Sequence, residues 1–187
     1  IIVSKPLETQ GEYVYSDLGY YFLKQIVEEV SGLSLETYAY EHFYAPLGMR
    51  STGYLPKGKF PLDQLVPTEK DNYFRNQLIQ GDVHDPGAAM LGGVGGHAGV
   101  FSSAEDLAKI WQMYLNKGNY GGRHYIDSAT ITEFAKCQYC EADNKGNRRA
   151  AGFDKPVRGV DGGPTCSCVS YASFGHTNFH LALGYKA

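Results

Sequence analysis

Along residues 18–31, LGYYFLKQIVEEVS, apolar side chains recur at Leu18, Phe22, Ile26, Val27 and Val30. That three-to-four-residue spacing gathers them on one face of an α-helix. Ser16 or Asp17 supplies the N-cap and Gly32 the stop, so an amphipathic helix is predicted over 18–31. A second helix is predicted over 35–44 behind the cap Ser34. It ends before Ala45-Pro46, because the residue preceding a proline resists the α conformation. Ser102 with Glu105 and Ser103 with Asp106 both have capping-box spacing. They open a third helix with a predicted buried stripe of Leu107, Ile110, Trp111, Tyr114 and Leu115, closed by Gly118. A shorter helix follows Asp127-Ser128 over about 128–136. Strand patterning is poorer: Val169–Phe174 is the best candidate, and Ala88-Ala89-Met90-Leu91 reads as a weak strand. Residues 52–101 carry prolines, scattered polar residues and a glycine tract with little periodicity. A stretch this long without regular structure inside a compact domain is usually functional.

The chain has 187 residues, 43% of them hydrophobic and 20% charged, enough for one domain with its own core. Its 17 basic and 20 acidic residues leave a net charge of −3, without the basic clustering that binding to nucleic acid requires. No run approaches the roughly 20 apolar residues of a membrane span. The opening IIVSKPLETQ has none of the three parts of a secretory signal, so the chain is expected to be cytoplasmic, already processed or cut from something longer. Cys137-Gln-Tyr-Cys140 has the spacing of a zinc knuckle, but the second pair, Cys166-Ser-Cys168, has a one-residue spacer and breaks the pattern. Residues 141–165 read as a surface loop.

Two further patterns suggest ligands. Gly93, Gly95 and Ala98 form a loose dinucleotide fingerprint, yet no convincing strand precedes it and the next helix starts late. A loop that needs unusual φ values or close backbone packing is the better reading. His176 and His180 have i, i+4 spacing, but they follow a strand-like run, and in a strand they would stand about 13 Å apart, too far to share an ion. His84, Asp85 and His97 are a third set of ligand types, the basis for a metal-dependent hydrolase as an alternative.

Tyr15-Ser16-Asp17 stands directly before the first helix, and Gly175-His176-Thr177 ends the strand-like segment some 160 residues later. Together they resemble the second and third motifs of the serine β-lactamase and penicillin-binding-protein superfamily, where a serine in S-x-x-K is acylated. YSDLGYYFLKQIVEEVSGLSLETYAYEHFYAPLGMRSTGY is similar to the helix pair after the tyrosine motif in class C β-lactamases, D-alanyl-D-alanine carboxypeptidases and related esterases. GDVHDPGAAMLGGVGGHAGVFSSAEDLAKIWQMYLNKGNYGG more closely resembles the branch of the penicillin-binding protein 4B type and of β-lactamase-like modules fused to bacterial glycoside hydrolases. The resemblance covers about residues 10–136 and again 173–177, within one partial domain over 1–187. It implies an α+β fold, an α/β sandwich with an antiparallel sheet flanked by helices, incomplete at both ends.

The activity implied is acyl transfer to a serine followed by hydrolysis of a peptidoglycan-like peptide, ester or lactam, in the periplasm or cell envelope, without cofactor or metal. Tyr15 is the implied proton carrier, with Asp17, His176 and Thr177 completing the catalytic set and Ser16, His84, Gly96 and His97 lining the substrate pocket. A phenol that ionises near pH 10 needs cations around it to act as a base near neutrality. None of the eleven serines has lysine three residues later, so the nucleophile motif is absent. The expected explanation is an N-terminal truncation, which would leave this chain inactive. Asp17 replaces the usual asparagine and opposes phenolate unless a cation pairs with it. His176 replaces lysine, which tilts the substrate towards an ester, amide or peptide, and Asn178 replaces the motif glycine. The competing reading is a non-catalytic module that binds cell-wall fragments or a partner protein. Sheet surface left uncovered by missing strands would favour self-association.

Overall fold

The structure is a computed structural model that describes residues 14–136, 138 and 150–152, together with the strands Val169–Phe174 and Leu181–Lys186. The chain divides into two compact units, one of Ile1–Tyr40 and Gly53–Phe101, the other of Glu41–Thr52 and Ser102–Ala187.

In the first unit, α1 spans Leu18–Ser31, as its apolar spacing requires. Gly32 ends it in the left-handed region, φ 71°, which glycine enters without Cβ strain, and its N–H closes on the carbonyl of Glu28. The apolar face of α1 is less covered than its pattern implies: Leu18 and Phe22 are about two-fifths exposed and Val30 is 84% exposed. Ser34 caps α2, Leu35–Ala39, by accepting the Thr37 N–H. The helix continues to Tyr44 as a π turn, Tyr40–Tyr44, so the predicted 35–44 element is two helical forms in series.

Residues 52–101 are more ordered than their weak periodicity suggests, because their hydrogen bonds are made in short local pieces. Single 3₁₀ turns at Pro56–Gly58 and Leu62–Gln64 precede a two-stranded antiparallel ribbon. The ribbon is β1, Pro67–Lys70, and β2, Leu78–Gln80, with a bulge between Pro67 and Glu69. Ile79 of β2 is buried, as are Tyr54, Val83 and Ala88 of the same unit. The segment read as a weak strand is the start of α3, Pro86–Met90. Asp85 decides this by accepting the Ala88 N–H, and Pro86 at the first helical position is already fixed at a helical φ.

In the second unit, α4 spans Ala104–Leu115, and Ser103 accepts the Asp106 N–H as its cap. Its buried positions are Asp106 and Met113, while Leu107 of the predicted stripe is at the surface. Met113 meets Leu47, Met49, Ile131 and Ala135 in the core, with Ile110, Trp111, Tyr114 and Leu115 packed around them. Asp106 is drawn inwards by the chain opposite it, where it accepts the Ser51 N–H at 2.7 Å and the Thr52 hydroxyl at 3.0 Å. A short hairpin of β3, Asn119–Tyr120, and β4, Arg123–His124, leads to α5, Ser128–Ala135. The predicted strand is observed as β5, Val169–Phe174; it pairs antiparallel through six residues with β6, Leu181–Lys186, and α4 lies against β6. All three described sheets are antiparallel and two-stranded, so the class is the mixed α+β expected. No helix among the described residues is long and apolar enough to cross a membrane.

Candidate functional site

The first unit brings the start of α1 together with the glycine tract. Tyr15 and Ser16 are exposed just before the helix, and Ser16 Oγ accepts the Leu18 N–H at 3.2 Å. Asp17 stands at the N-cap position but makes no capping bond with its side chain. One of its oxygens instead lies within 4.8 Å of donor atoms of Asp85 and His97. His97 is the best-defined group here: its ring is 2% exposed and its Nε2 lies 2.7 Å from Asp85 Oδ1. The Tyr21 ring meets it edge-on at 4.8 Å.

The glycines allow this approach. A Cβ on Gly96 would collide with the carbonyl of Tyr20 and lie 3.3 Å from Lys24 Cβ, so only glycine lets the tract lie on the first turns of α1. Lys24 donates to the Val94 carbonyl at 2.9 Å, and the Tyr54 hydroxyl donates to the Gly95 carbonyl at 3.2 Å. Gly92, Gly93 and Gly99 have positive φ, in keeping with an unusual loop rather than a nucleotide fingerprint.

Two ionised carboxylates with oxygens within 4.8 Å of each other repel by roughly 3 kcal/mol or more at an effective dielectric of about 20. This field marks its neighbours: burial, then the charges of Asp85 and Asp17, push the Tyr21 phenol up from its ordinary pKa. The Tyr21 phenol therefore keeps its proton near neutrality. Among the described residues, Asp17, Asp85 and His97 are the one group whose donors could surround an ion. They do not fit one. A carboxylate only accepts hydrogen bonds, so Nε2 carries the ring proton that Asp85 receives. A metal on Nε2 would move that proton to Nδ1, which is buried without a hydrogen-bond partner among the described residues. Ligating histidines normally have an acceptor at that position.

The set expected from sequence is thus divided. Asp17, Gly96 and His97 converge, with Tyr15 and Ser16 next to Asp17 in the chain. His84 does not join them, because its Nε2 pairs with Glu69 at 2.9 Å, and this removes it from the metal set proposed with Asp85 and His97. That position is held from below. Asp71 accepts the N–H groups of Tyr73, Phe74 and Arg75, each at 2.8 Å, and the Arg75 guanidinium donates to the carbonyls of Val83 and His84 at 2.6 Å. The N–H groups of Phe74 and Tyr73 hold the Asp71 carboxyl well below the usual carboxylate range, against its burial. His176 and Thr177, like all four cysteines and Asn178, lie outside the described residues. Asp85 as the partner of His97 was not assigned from sequence. The signal available was an aspartate directly before a proline at a helix start.

The mixed α+β fold is that of a β-lactamase-like protein. Residues 4–181 match the Beta-lactamase family, and the chain is a member of it. It is similar to a D-alanyl-D-alanine carboxypeptidase homologue of Salmonella schwarzengrund (strain CVM19633), 35% identical over 150 residues, covering 73% of this chain and 35% of that protein. It is also similar to an N-acetylmuramyl-L-alanine amidase of Bacillus subtilis (strain 168), 38% identical over 139 residues, covering 68% of this chain and 32% of the relative. Among solved structures, the octameric penicillin-binding protein homologue from Pyrococcus abyssi aligns with TM-score 0.48 and 21% identity, over 71% of this chain and 27% of that one. The chain spans about a third of the length of the curated relatives it matches.

Proposed function

We propose that this chain is part of an envelope-located serine hydrolase that transfers and hydrolyses acyl groups of cell-wall peptides, amides or esters. In this reading Tyr15 carries the proton between the attacking serine and the leaving group, and His176 and Thr177 face the substrate. The acylated serine comes from polypeptide outside these 187 residues, so the chain alone does not turn over substrate. The observation that carries the reading is Tyr15-Ser16-Asp17 standing at the start of α1 in a chain of the Beta-lactamase family. The amidase and carboxypeptidase names of its relatives support the substrate class.

The test is turnover of a D-alanyl-D-alanine peptide and of a nitrophenyl ester by a longer polypeptide that includes the S-x-x-K segment. Tyr15→Phe is expected to lower kcat by about 10²–10⁴-fold while KM changes little. Full activity in Tyr15→Phe would overturn the role of Tyr15. Saturable turnover by the 187-residue chain, lost in Tyr15→Phe, would overturn the claim that it lacks its nucleophile.

A further inference from the structure

The turn that joins β1 to β2, Asp71-Asn72-Tyr73-Phe74-Arg75-Asn76-Gln77, carries its two charged groups inside and its two rings outside. The Asp71 side chain is 2% exposed and that of Arg75 16%. Together they brace the turn. Asp71 accepts the N–H groups of Tyr73, Phe74 and Arg75, its own N–H donates to the Gln77 carbonyl at 3.0 Å, and Arg75 is directed to the carbonyls of Val83 and His84. Asn76 completes the turn in the left-handed region, φ 51°. Burying an ion pair is costly, yet this one covers neither ring: Tyr73 is 82% exposed and Phe74 43%. The fold thus fixes the backbone beneath two aromatic side chains that it leaves in solvent. Such a tip is a recognition element, because little conformational freedom is lost when a ligand covers a ring already held in place.

The composition of the tip defines the ligand. Asp71 and Arg75, the only charged residues within 71–77, are satisfied by each other and by backbone groups, so the tip calls for no ion. Exposed on it are the two rings, with centroids 6.4 Å apart and planes inclined by 41°, and Asn72, Asn76 and Gln77, whose amides both donate and accept hydrogen bonds. The Arg75 guanidinium carbon lies over the Phe74 ring, 5.9 Å from its centroid, which leaves Tyr73 as the open platform. Two rings offer at most about 500 Å², short of the ~800 Å² per partner of a stable protein interface. A neutral ring with an apolar C–H face and polar edges matches this surface. On the reading that the substrates are cell-wall peptides, we propose that Tyr73 and Phe74 bind the chain of N-acetylated amino sugars that carries such peptides. The C–H face of a sugar lies on the negative face of Tyr73, and its hydroxyl and acetamido groups meet the flanking amides. The residues of this site take no part in acyl transfer.

The test is NMR titration of the 187-residue chain, labelled in its tyrosine and phenylalanine rings, with chitotetraose, the β-1,4-linked tetramer of N-acetylglucosamine. Saturable shifts of the Tyr73 and Phe74 signals are expected in the millimolar range. Tyr73→Ala and Tyr73→Leu are each expected to weaken binding by about tenfold, because leucine keeps apolar area but presents no ring face, and Tyr73→Phe by about twofold or less. Asp71→Asn, which loosens the turn without altering the exposed groups, is expected to weaken it as well. Absence of saturable shifts at the tip, equal binding by Tyr73→Leu and the native chain, or tip shifts produced by a free D-alanyl-D-alanine peptide instead of the sugar would each overturn the proposal. Equal affinity for maltotetraose, which has no acetamido groups, would overturn the assignment to amino sugars. Binding needs no nucleophile, so this result stands apart from turnover by the longer polypeptide, whose absence would count against the hydrolase reading alone.

Discussion

Replacing Asp106 with alanine removes a buried carboxylate that joins α4 to the chain at Ser51 and Thr52. The side chain accepts three hydrogen bonds, from the Ser51 N–H, the Thr52 hydroxyl and Lys109 Nζ at 3.0 Å. A hydrogen bond to a charged group contributes about 1.5–3 kcal/mol net. The three losses are not equal. Lys109 keeps the Gly48 carbonyl and Glu105, Thr52 keeps the Ser102 hydroxyl, and Ser51 is exposed enough to bind water. The expected cost is therefore about 3 kcal/mol, a large part of the ~5–15 kcal/mol that holds a typical domain folded. Urea unfolding at pH 7 reads it directly, because the only tryptophan, Trp111, lies on α4. A change below about 0.5 kcal/mol at constant m-value would refute the reasoning. The pH dependence adds a second check. Burial pushes the Asp106 carboxyl up, but the Lys109, Ser51 and Thr52 hydrogen bonds outweigh it and leave the pKa lowered. The ionised form thus stabilises the fold above the unfolded value of about 3.9, and this is lost as pH falls through the folded value. The deficit of Asp106→Ala is expected to persist at pH 5 and to shrink below about pH 4.

Met113→Ala empties a site with no exposed surface among Leu47, Met49 and Ile131, and is expected to cost about 2–5 kcal/mol in the same urea assay. For Asp71, whose folded pKa is depressed by the Phe74 and Tyr73 N–H groups, stability is expected to decline as pH falls below about 3.9 towards the folded value. Thermal melts of Asp71→Asn between pH 5 and pH 2.5 should show a shallower decline than the native chain. Parallel curves would contradict the assigned role.

Elements that depend on neighbours in sequence were legible. The spacing of Leu18, Phe22, Ile26 and Val30 marked α1, Ser34 and Ser103 marked two helix starts, and Val169–Phe174 marked β5. Elements that depend on distant chain were not. Asp106 reads as a polar cap residue, and nothing near it shows that Ser51 and Thr52 draw it inwards. Ala88-Ala89-Met90-Leu91 reads as a short apolar run, and only the Asp85 cap with Pro86 makes it helical. At the site, the tyrosine motif and the histidine in the glycine tract were each visible. The pairing of His97 with Asp85 instead of His84 depends on Glu69 and Arg75 holding the His84 segment, a tertiary fact without periodicity.

The central claim is that these residues hold the supporting half of an acyl-transfer site whose nucleophile lies elsewhere in the polypeptide. Intact-mass analysis of the 187-residue chain after exposure to a penicillin and, separately, to a fluorophosphonate tests it most directly. The account predicts no adduct with either reagent on this chain and one acyl adduct on a longer polypeptide carrying S-x-x-K. One stoichiometric adduct mapped to any of the eleven serines present here would contradict it.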